Sequence, residues 1–324
     1  MEIRGGAGRK TAFDRLTARP VAIRNLVNAS SAGLTSVIIT AADSGDDLAA
    51  CVERVVASST PVEIIVSDNA SADGSVDAVQ ARWRNDERVR IVRNSANLGF
   101  GTACNSGAAV ARGDVLLMLN PDCLVEVDTI KILRERLASD STIGAVGAII
   151  VDENGRYEPA SRRRDPFLRR ALTTMFGLDR FESRSSSFAG ANIASPADSA
   201  TDIVDAVSGA LMMLPRPLFQ KIGGFDEGYF LHCEDLDLCR RVRDAGSKVV
   251  CVNDVRVVHA KGTSSRSRPV FVARHKHRGM WRWFTKFDPA ARNPVLRSLV
   301  WCGLWAHFVV MLPRYALQTK RAQR

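Results

Sequence analysis

Between Ser36 and Leu119 the chain alternates short apolar runs with amphipathic stretches, and this alternation narrows the possible folds more than any other feature. Ser36–Ile39, Val62–Val66, Val89–Val92 and Val115–Leu119 are apolar and rich in β-branched residues, so they read as buried strands. Asp46–Ala57, Val76–Trp83 and Gly101–Ala111 lie between them and read as helices. Strand, helix, strand at this spacing predicts parallel βαβ units and an α/β sheet covered on both faces. In such a sheet the ligand crevice lies beyond the carboxyl ends of the strands. Two polar motifs fall at such ends, Ser67–Ser75 and Asn120-Pro121-Asp122. Further along, the pattern predicts a helix over Val127–Leu137 and a strand over Ile143–Val151. An irregular Ser/Arg-rich stretch over 162–200 follows, then a strand over Val204–Leu214 and a helix over Glu234–Ala245 stopped by Gly246. Two short strands, Lys248–Val252 and Arg256–His259, precede a mostly helical C-terminal stretch.

With 324 residues and 46% apolar content, the chain can form one large α/β domain and an appended segment. Its net charge of +10 is unevenly placed. From Thr263 to Arg324 there are thirteen basic residues and one acid, Asp288; the rest of the chain carries 32 basic and 34 acidic residues. Four of the five tryptophans, Trp281, Trp283, Trp301 and Trp305, share that basic segment. Basic residues interleaved with Trp suit a nucleic acid or an anionic membrane surface, or a solvated helical face packed on the domain. The longest ion-free apolar run, Ser298 to Leu312, is shorter than the ~20 residues a spanning helix needs. Met1 to Pro20 lacks an apolar core of the signal-peptide kind, so residues 1–34 are expected to be a flexible leader. Seven cysteines without a C-x-x-C pair fit reduced, buried thiols and a cytoplasmic setting.

The motifs carry the chemistry. In Asp68-Asn69-x-Ser71-x-Asp73-Gly74-Ser75 the later residues suit a turn and a helix cap. Asp68 ends a buried strand in the crevice, where a carboxylate can accept the imide N–H of a pyrimidine base. Asn97-Leu98-Gly99-Phe100-Gly101 opens a helix, and glycines there allow close approach of a phosphate. It departs from a dinucleotide-binding fingerprint because Cys104 stands at the third glycine and the run follows a third strand. Asp122 has two readings: a hard oxygen ligand for a phosphate-bound divalent cation, or an N-cap for the following helix. Glu234, Asp235 and Asp237 open a helix whose dipole favours carboxylates, yet three acids exceed what a cap requires. One of them held near an acceptor hydroxyl can act as general base. His259 closes a short strand; imidazole suits Mn²⁺ and similar ions if Asp122 is a ligand.

Together these residues resemble the family-2 glycosyltransferases of the GT-A fold, in particular their rhamnosyltransferase-like branch. The matching pieces are Ser67–Ser75, Asn97–Phe100 with Asn105, Leu119–Asp122, Gly223–Glu227, Glu234–Arg240 and His259, in family order over roughly residues 35–262. The resemblance implies a mostly parallel central sheet flanked by helices. It also implies a nucleotide-binding half at about 35–122, an acceptor half at about 123–262, and a helical C-terminal extension over 263–324. By the same resemblance Asp68, Asn69, Asn97, Gly99, Phe100, Asn105 and Asn120 would bind the donor. Asp122 and His259 would hold Mg²⁺ or Mn²⁺, and Asp235, with Glu234 beside it, would be the base. Gly224, Phe225 and Asp226 would lie on the acceptor side. Asn120 replaces the first acid of the family's Asp-x-Asp motif, as is usual in the rhamnosyltransferase-like branch.

The implied reaction is a direct, inverting transfer to a glycan or lipid-linked acceptor in cell-surface polysaccharide synthesis. The donor would be dTDP-L-rhamnose, with UDP-sugars as the alternative. A sugar nucleotidyltransferase is disfavoured because Ala41–Asp47 contains no Lys or Arg. Retention of Asp122, Asp235 and His259 argues against a catalytically silent scaffold. The acidic crevice argues against a nucleic-acid partner. Trp301, Leu304, Trp305, Phe308 and Leu312 form a stripe at helical spacing, flanked by Arg292, Arg297 and Arg314. Such a stripe over 290–318 suits an anionic membrane surface at the inner face of the cytoplasmic membrane, packing on the domain, or a contact between two copies.

Overall fold

The computed structural model describes residues 33–182, 184–193, 199–260 and 268–322. Residues 1–32 of the expected leader lie outside it. Its central sheet has nine strands. Four are parallel: β1 (Thr35–Ala41), β2 (Val62–Asp68), β3 (Val89–Arg93) and β4 (Val115–Leu119), in the order β3-β2-β1-β4. Helices α1 (Asp46–Val56), α2 (Ser75–Arg82) and α3 (Phe100–Ala109) make the crossovers. The second half joins through antiparallel β10 (Leu211–Pro215), which pairs with β4 on one side and β6 (Ile143–Val151) on the other. Beyond β6 run β11 (Lys248–His259), parallel to it, and the two-residue β5 (Cys123–Leu124). Strand β8 (Thr201–Val204) pairs with β11. Helices α4 (Thr129–Ser139), α6 (Arg216–Lys221) and α7 (Glu234–Asp244) complete the layers.

The central strands are buried on both faces because alternate side chains feed two separate cores. Val37, Ile39 and Leu117 pack with Leu48 and Val52 of α1 and Leu133 of α4. Ile38, Leu116 and Met118 pack with Cys104 of α3, Leu238 of α7 and Trp283. Each fully buried aliphatic side chain of this kind contributes about 1.5–3 kcal/mol.

Three segments differ from the sequence reading. The described residues of the stretch over 162–200 include regular structure that its composition did not suggest. It holds β7 (Arg162–Arg163), paired with β9 (Ala206–Val207), and α5 (Leu168–Met175). The strand expected over Val204–Leu214 is three pieces, β8, β9 and β10, broken at Asp205 and at Ser208–Ala210. Conversely, the two strands expected over 248–259 are one, with a register shift between Val252 and Arg256. The bulge keeps pairing continuous, so β11 reaches β5 and sets His259 opposite Cys123.

The C-terminal segment is two helices, α8 (Pro269–Phe287) and α9 (Pro294–Ala322). Helix α8 packs into the second core through Trp283, which is 1% exposed. Helix α9 is longer than its ion-free run suggested. Over Pro294–Leu317 it is long and apolar enough to cross a membrane, with an 18-residue stretch of mean hydropathy 1.7, none of it buried. Arg297 and Arg314 interrupt the uncharged run near its ends without breaking the apolar stretch.

Candidate functional site

Parallel strand ends assemble one end of the crevice. Asp68 pairs with Ala41 at the end of β1, and Leu119 pairs with Ile39, so Asp68 and Asn120 flank the same strand. Asp68 is 2% exposed; Oδ1 accepts from the Ser71 N–H at 2.8 Å and Oδ2 from Arg93 Nη1 at 3.1 Å. The β5–β11 pairing then brings His259 to the end of β4. Its Nε2 lies 3.2 Å from Asp122 Oδ1 and 3.4 Å from Asn120 Nδ2. On the other side of the ring, Nδ1 faces Glu158 Oε2 at 3.6 Å. Burial would lower the imidazole pKa, but the Asp122 and Glu158 carboxylates outweigh it and raise it to about 9. Asp122, Cys123 and His259 offer atoms within 4.8 Å of one another. Burial holds the Cys123 thiol well above its ordinary value. The Asp122 carboxylate and, once it gives up its proton, the His259 imidazole are the groups here whose chemistry fits a divalent ion such as Mg²⁺ or Mn²⁺.

The other end is built by non-local packing. Helix α7 starts from a turn in which His232 and Cys233 both adopt left-handed backbone, φ 69° and 72°. Such residues cost of order 1–3 kcal/mol each and persist only where the surroundings enforce them. Asp235, just after, is gripped on both oxygens. Oδ2 accepts from Arg163 Nη2 at 2.5 Å and from the Gly209 N–H at 2.9 Å; Oδ1 accepts from the Leu236 N–H at 2.8 Å. Burial would raise this carboxyl, yet the Arg163 charge and the three donors hold it below the usual range. Glu234 behaves oppositely: burial and the neighbouring Asp235 charge raise it. The two ends meet at the break between β9 and β10. Gly209 donates to Asp235, while the carbonyl of the next residue, Ala210, accepts from the Asn120 N–H at 2.9 Å.

A model of the glycosyl transferase family 2 matches residues 36–194. An N-acetylglucosaminyl-diphospho-decaprenol L-rhamnosyltransferase of Mycobacterium tuberculosis is 30% identical over 267 residues, covering 74% of this chain and 85% of the relative. The chain belongs to the family-2 glycosyltransferases. The rhamnosyltransferase WbbL of Escherichia coli is 26% identical over 52% of this chain and 63% of its own. A mannosyltransferase of Pyrobaculum calidifontis, solved with GDP-mannose and Mn²⁺, superposes with a TM-score of 0.53 at 19% identity, over 89% of this chain and 73% of that one. TarS of S. aureus, solved with UDP, gives 0.53 at 13% identity over 84% and 70%. The GT-A fold expected from the motifs is the one these neighbours share. The chain is a glycosyltransferase related to enzymes of cell-surface polysaccharide synthesis.

Several other motif residues of this glycosyltransferase are engaged within the protein. Asn69 donates to the Gly99 carbonyl at 3.1 Å and accepts from Asn94 Nδ2 at 3.1 Å. Asn97 Oδ1 accepts from the Gly99 N–H at 3.1 Å. Gly99, at φ 87°, has no room for a Cβ against the Phe230 carbonyl, which also accepts from the Phe100 N–H at 3.0 Å. The close approach made possible by Gly99 is therefore to the turn before α7. Asn105 clamps the Phe225 backbone, donating to its carbonyl at 2.9 Å and accepting from its N–H at 2.8 Å. Phe225 is 2% exposed between Phe100 and Phe219, and a Cβ on Gly224 would meet Asn105 Oδ1 at 2.6 Å. Asp226 is tied to α8 through Arg282 and Lys286, each at 2.7 Å. Motif reading missed Arg163, Glu158 and Gly209. The Arg162-Arg163-Arg164 run was the available signal for the first; nothing local marks the other two.

Proposed function

We propose that the chain transfers L-rhamnose from dTDP-L-rhamnose to a hydroxyl of a glycan or lipid-linked acceptor, with inversion. The transfer chemistry is supported by the turn at Gly209–Ala210, which links the held Asp235 carboxylate to Asn120 and through it to the Asp122–His259 pair, and the rhamnose donor by the 30% identical L-rhamnosyltransferase of M. tuberculosis. In this reading Asp68 accepts the imide N–H of the thymine base, and Asn120 lines the donor site. Asn69, Asn97, Gly99, Phe100 and Asn105 act on the donor by fixing the loop that borders it. Asp122 and His259 hold a divalent ion, Mg²⁺ or Mn²⁺. That ion, when bound, supplies Lewis-acid stabilisation to the departing nucleoside diphosphate.

Asp235 takes the proton of the acceptor hydroxyl. The acceptor oxygen forms its bond to the anomeric carbon as the bond from that carbon to the diphosphate breaks, and the electron pair leaves with the diphosphate. Glu234, kept protonated by burial and by the Asp235 charge, adds no second negative charge beside the base. The Gly224–Asp226 loop and α8 form the acceptor-side wall. Helix α9 rests on an anionic membrane surface at the cytoplasmic face, a reading supported by its unburied apolar stretch with Arg297 and Arg314 near the ends.

A thermal-shift panel of nucleotide sugars with and without Mn²⁺ or Mg²⁺ tests the donor. At 100 times Kd a ligand stabilises by about 2.7 kcal/mol. Selective stabilisation by dTDP-L-rhamnose, and only with metal, is expected; selective stabilisation by a UDP-sugar would replace the rhamnose reading. Loss of binding to anionic vesicles on deleting residues 294–324 is the matching test of α9.

A further inference from the structure

Three consecutive arginines, Arg162, Arg163 and Arg164, go to three different acids. Arg162 pairs with Asp202, Arg164 with Glu182, and Arg163 with Asp235. We propose that Arg163 is the positioning residue for Asp235, orienting its carboxylate so that Oδ1 is the oxygen that takes the acceptor proton. The inference rests on Asp235 being the base.

The geometry separates the two oxygens. Oδ2 is occupied by two N–H donors, Arg163 Nη2 at 2.5 Å and Gly209 N at 2.9 Å. Oδ1 takes one short bond, from Leu236 N at 2.8 Å, and one long bond, from Arg163 Nη1 at 3.4 Å. The four acceptor directions of an ionised carboxyl group are then taken, and the 3.4 Å bond, the longest, is the one an incoming hydroxyl replaces. Arg163 is itself fixed. Its backbone pairs with Ala206 in the β7–β9 ladder, its Nη2 also donates to the Val207 carbonyl at 2.8 Å, and its side chain is 15% exposed. The guanidinium is thus held by strands, and the carboxylate is held by the guanidinium.

The charged and titratable neighbours of Asp235 are Arg163 from β7, Glu234 beside it, Cys233 and His232 from the preceding turn, and Cys239 one turn on; Lys276 of α8 faces His232. Arg163 is the cation that pairs with Asp235 directly. An alternative role is a brace that only ties the 162–193 segment to α7. A buried ion pair is weak evidence of net stabilisation, so stability alone does not decide between the two.

The test measures kcat and KM for Arg163→Ala and Arg163→Lys in the full-length enzyme, with and without free guanidinium ion. For a positioning residue, Arg163→Ala lowers kcat about 100-fold while donor KM stays within a few-fold. Guanidinium recovers at least about a tenth of the lost rate, because a free cation can refill the carboxylate's fork. Arg163→Lys keeps the charge without the fork, and kcat falls at least about tenfold with an unchanged melting temperature. Wild-type kcat in either variant overturns the proposal. So does an Arg163→Ala loss that guanidinium fails to rescue and that tracks a lowered melting temperature. If Arg163→Ala does not fold, Arg163→Lys alone decides. Full turnover by Asp235→Asn is a separate result, since it removes the base reading itself.

Discussion

The two ends of the crevice are made differently. At the proposed donor end, Asp68, Asn120 and Asp122 sit at or just beyond the ends of parallel strands, so chain topology alone delivers them. At the proposed base end, Asp235 occupies the first turn of a helix and is placed by contacts from remote segments. Arg163 lies 72 residues away in sequence and Gly209 lies 26 away. A strand end tolerates change in its neighbours because the sheet fixes it. A helix start preceded by two left-handed residues has no such frame and depends on what packs against it.

The sharpest way to break this comparison is to disable each end separately. Asp235→Asn is expected to lower kcat by about 10²–10⁴-fold while leaving donor affinity within a few-fold of wild type. Asp122→Ala should do the reverse first, removing metal-dependent donor binding measured by calorimetry. If Asp235→Asn weakens donor binding as much as Asp122→Ala does, the two ends are one coupled unit. A pH profile identifies the carboxyl group involved. Asp235 is held below the usual carboxylate range, so it stays ionised and kcat should be flat between about pH 5 and 7. Glu234 is raised, so a rate limited by its ionisation would climb about tenfold per pH unit there. Such a climb would move the base role to Glu234.

This contrast also explains what the sequence could reveal. The alternation from Ser36 to Leu119 fixes the parallel half of the sheet, because period and strand length are local properties. Motif order marks the family for the same reason. The break at Ser208–Ala210 was not legible: Ala206–Leu214 is apolar enough to read as one strand. It is interrupted by a turn in which the Leu211 N–H donates to the Ser208 carbonyl and the Gly209 N–H donates to Asp235, a residue on another element. Likewise Gly99 and Gly101 look like a phosphate loop in sequence. In the fold their missing side chains make room for Phe230 and Phe225. Glycine reports a close approach, and only the tertiary structure says to what.

The donor end has one support that comes from afar, and it sharpens the comparison. Glu158 faces His259 Nδ1 at 3.6 Å while Nε2 faces Asp122. Metal-ligating imidazoles commonly present their second nitrogen to a carboxylate, which fixes tautomer and ring orientation. Glu158→Gln should therefore weaken Mn²⁺ binding about 10–100-fold in a calorimetric titration with nucleoside diphosphate present. Because the ligands themselves remain, kcat should return toward wild type at saturating metal. An unchanged Mn²⁺ affinity would leave the donor end supported by strand ends alone.

The smallest expected effect tests the brace behind the base. Helix α8 runs against the strained turn at Gly279, where a Cβ would lie 2.5 Å from the His232 carbonyl oxygen and 3.3 Å from Cys233 Cβ. Arg282 and Lys286, further along the same helix, hold Asp226, and Lys286 also reaches Asp237 at 2.6 Å. In an exposed helix, Gly→Ala would stabilise by about 1 kcal/mol. Here the obstacle is backbone, which cannot rotate aside, so an overpacking cost of about 1–3 kcal/mol should win and Gly279→Ala should lower the melting temperature. The displaced turn carries Asp235 with it, so kcat should fall several-fold with donor affinity unchanged. A raised melting temperature with wild-type kcat would show that α8 only rests on the catalytic fold. A several-fold loss confined to kcat would make α8 part of what positions the proposed base, and through it would link α9, packed on α8, to the chemistry.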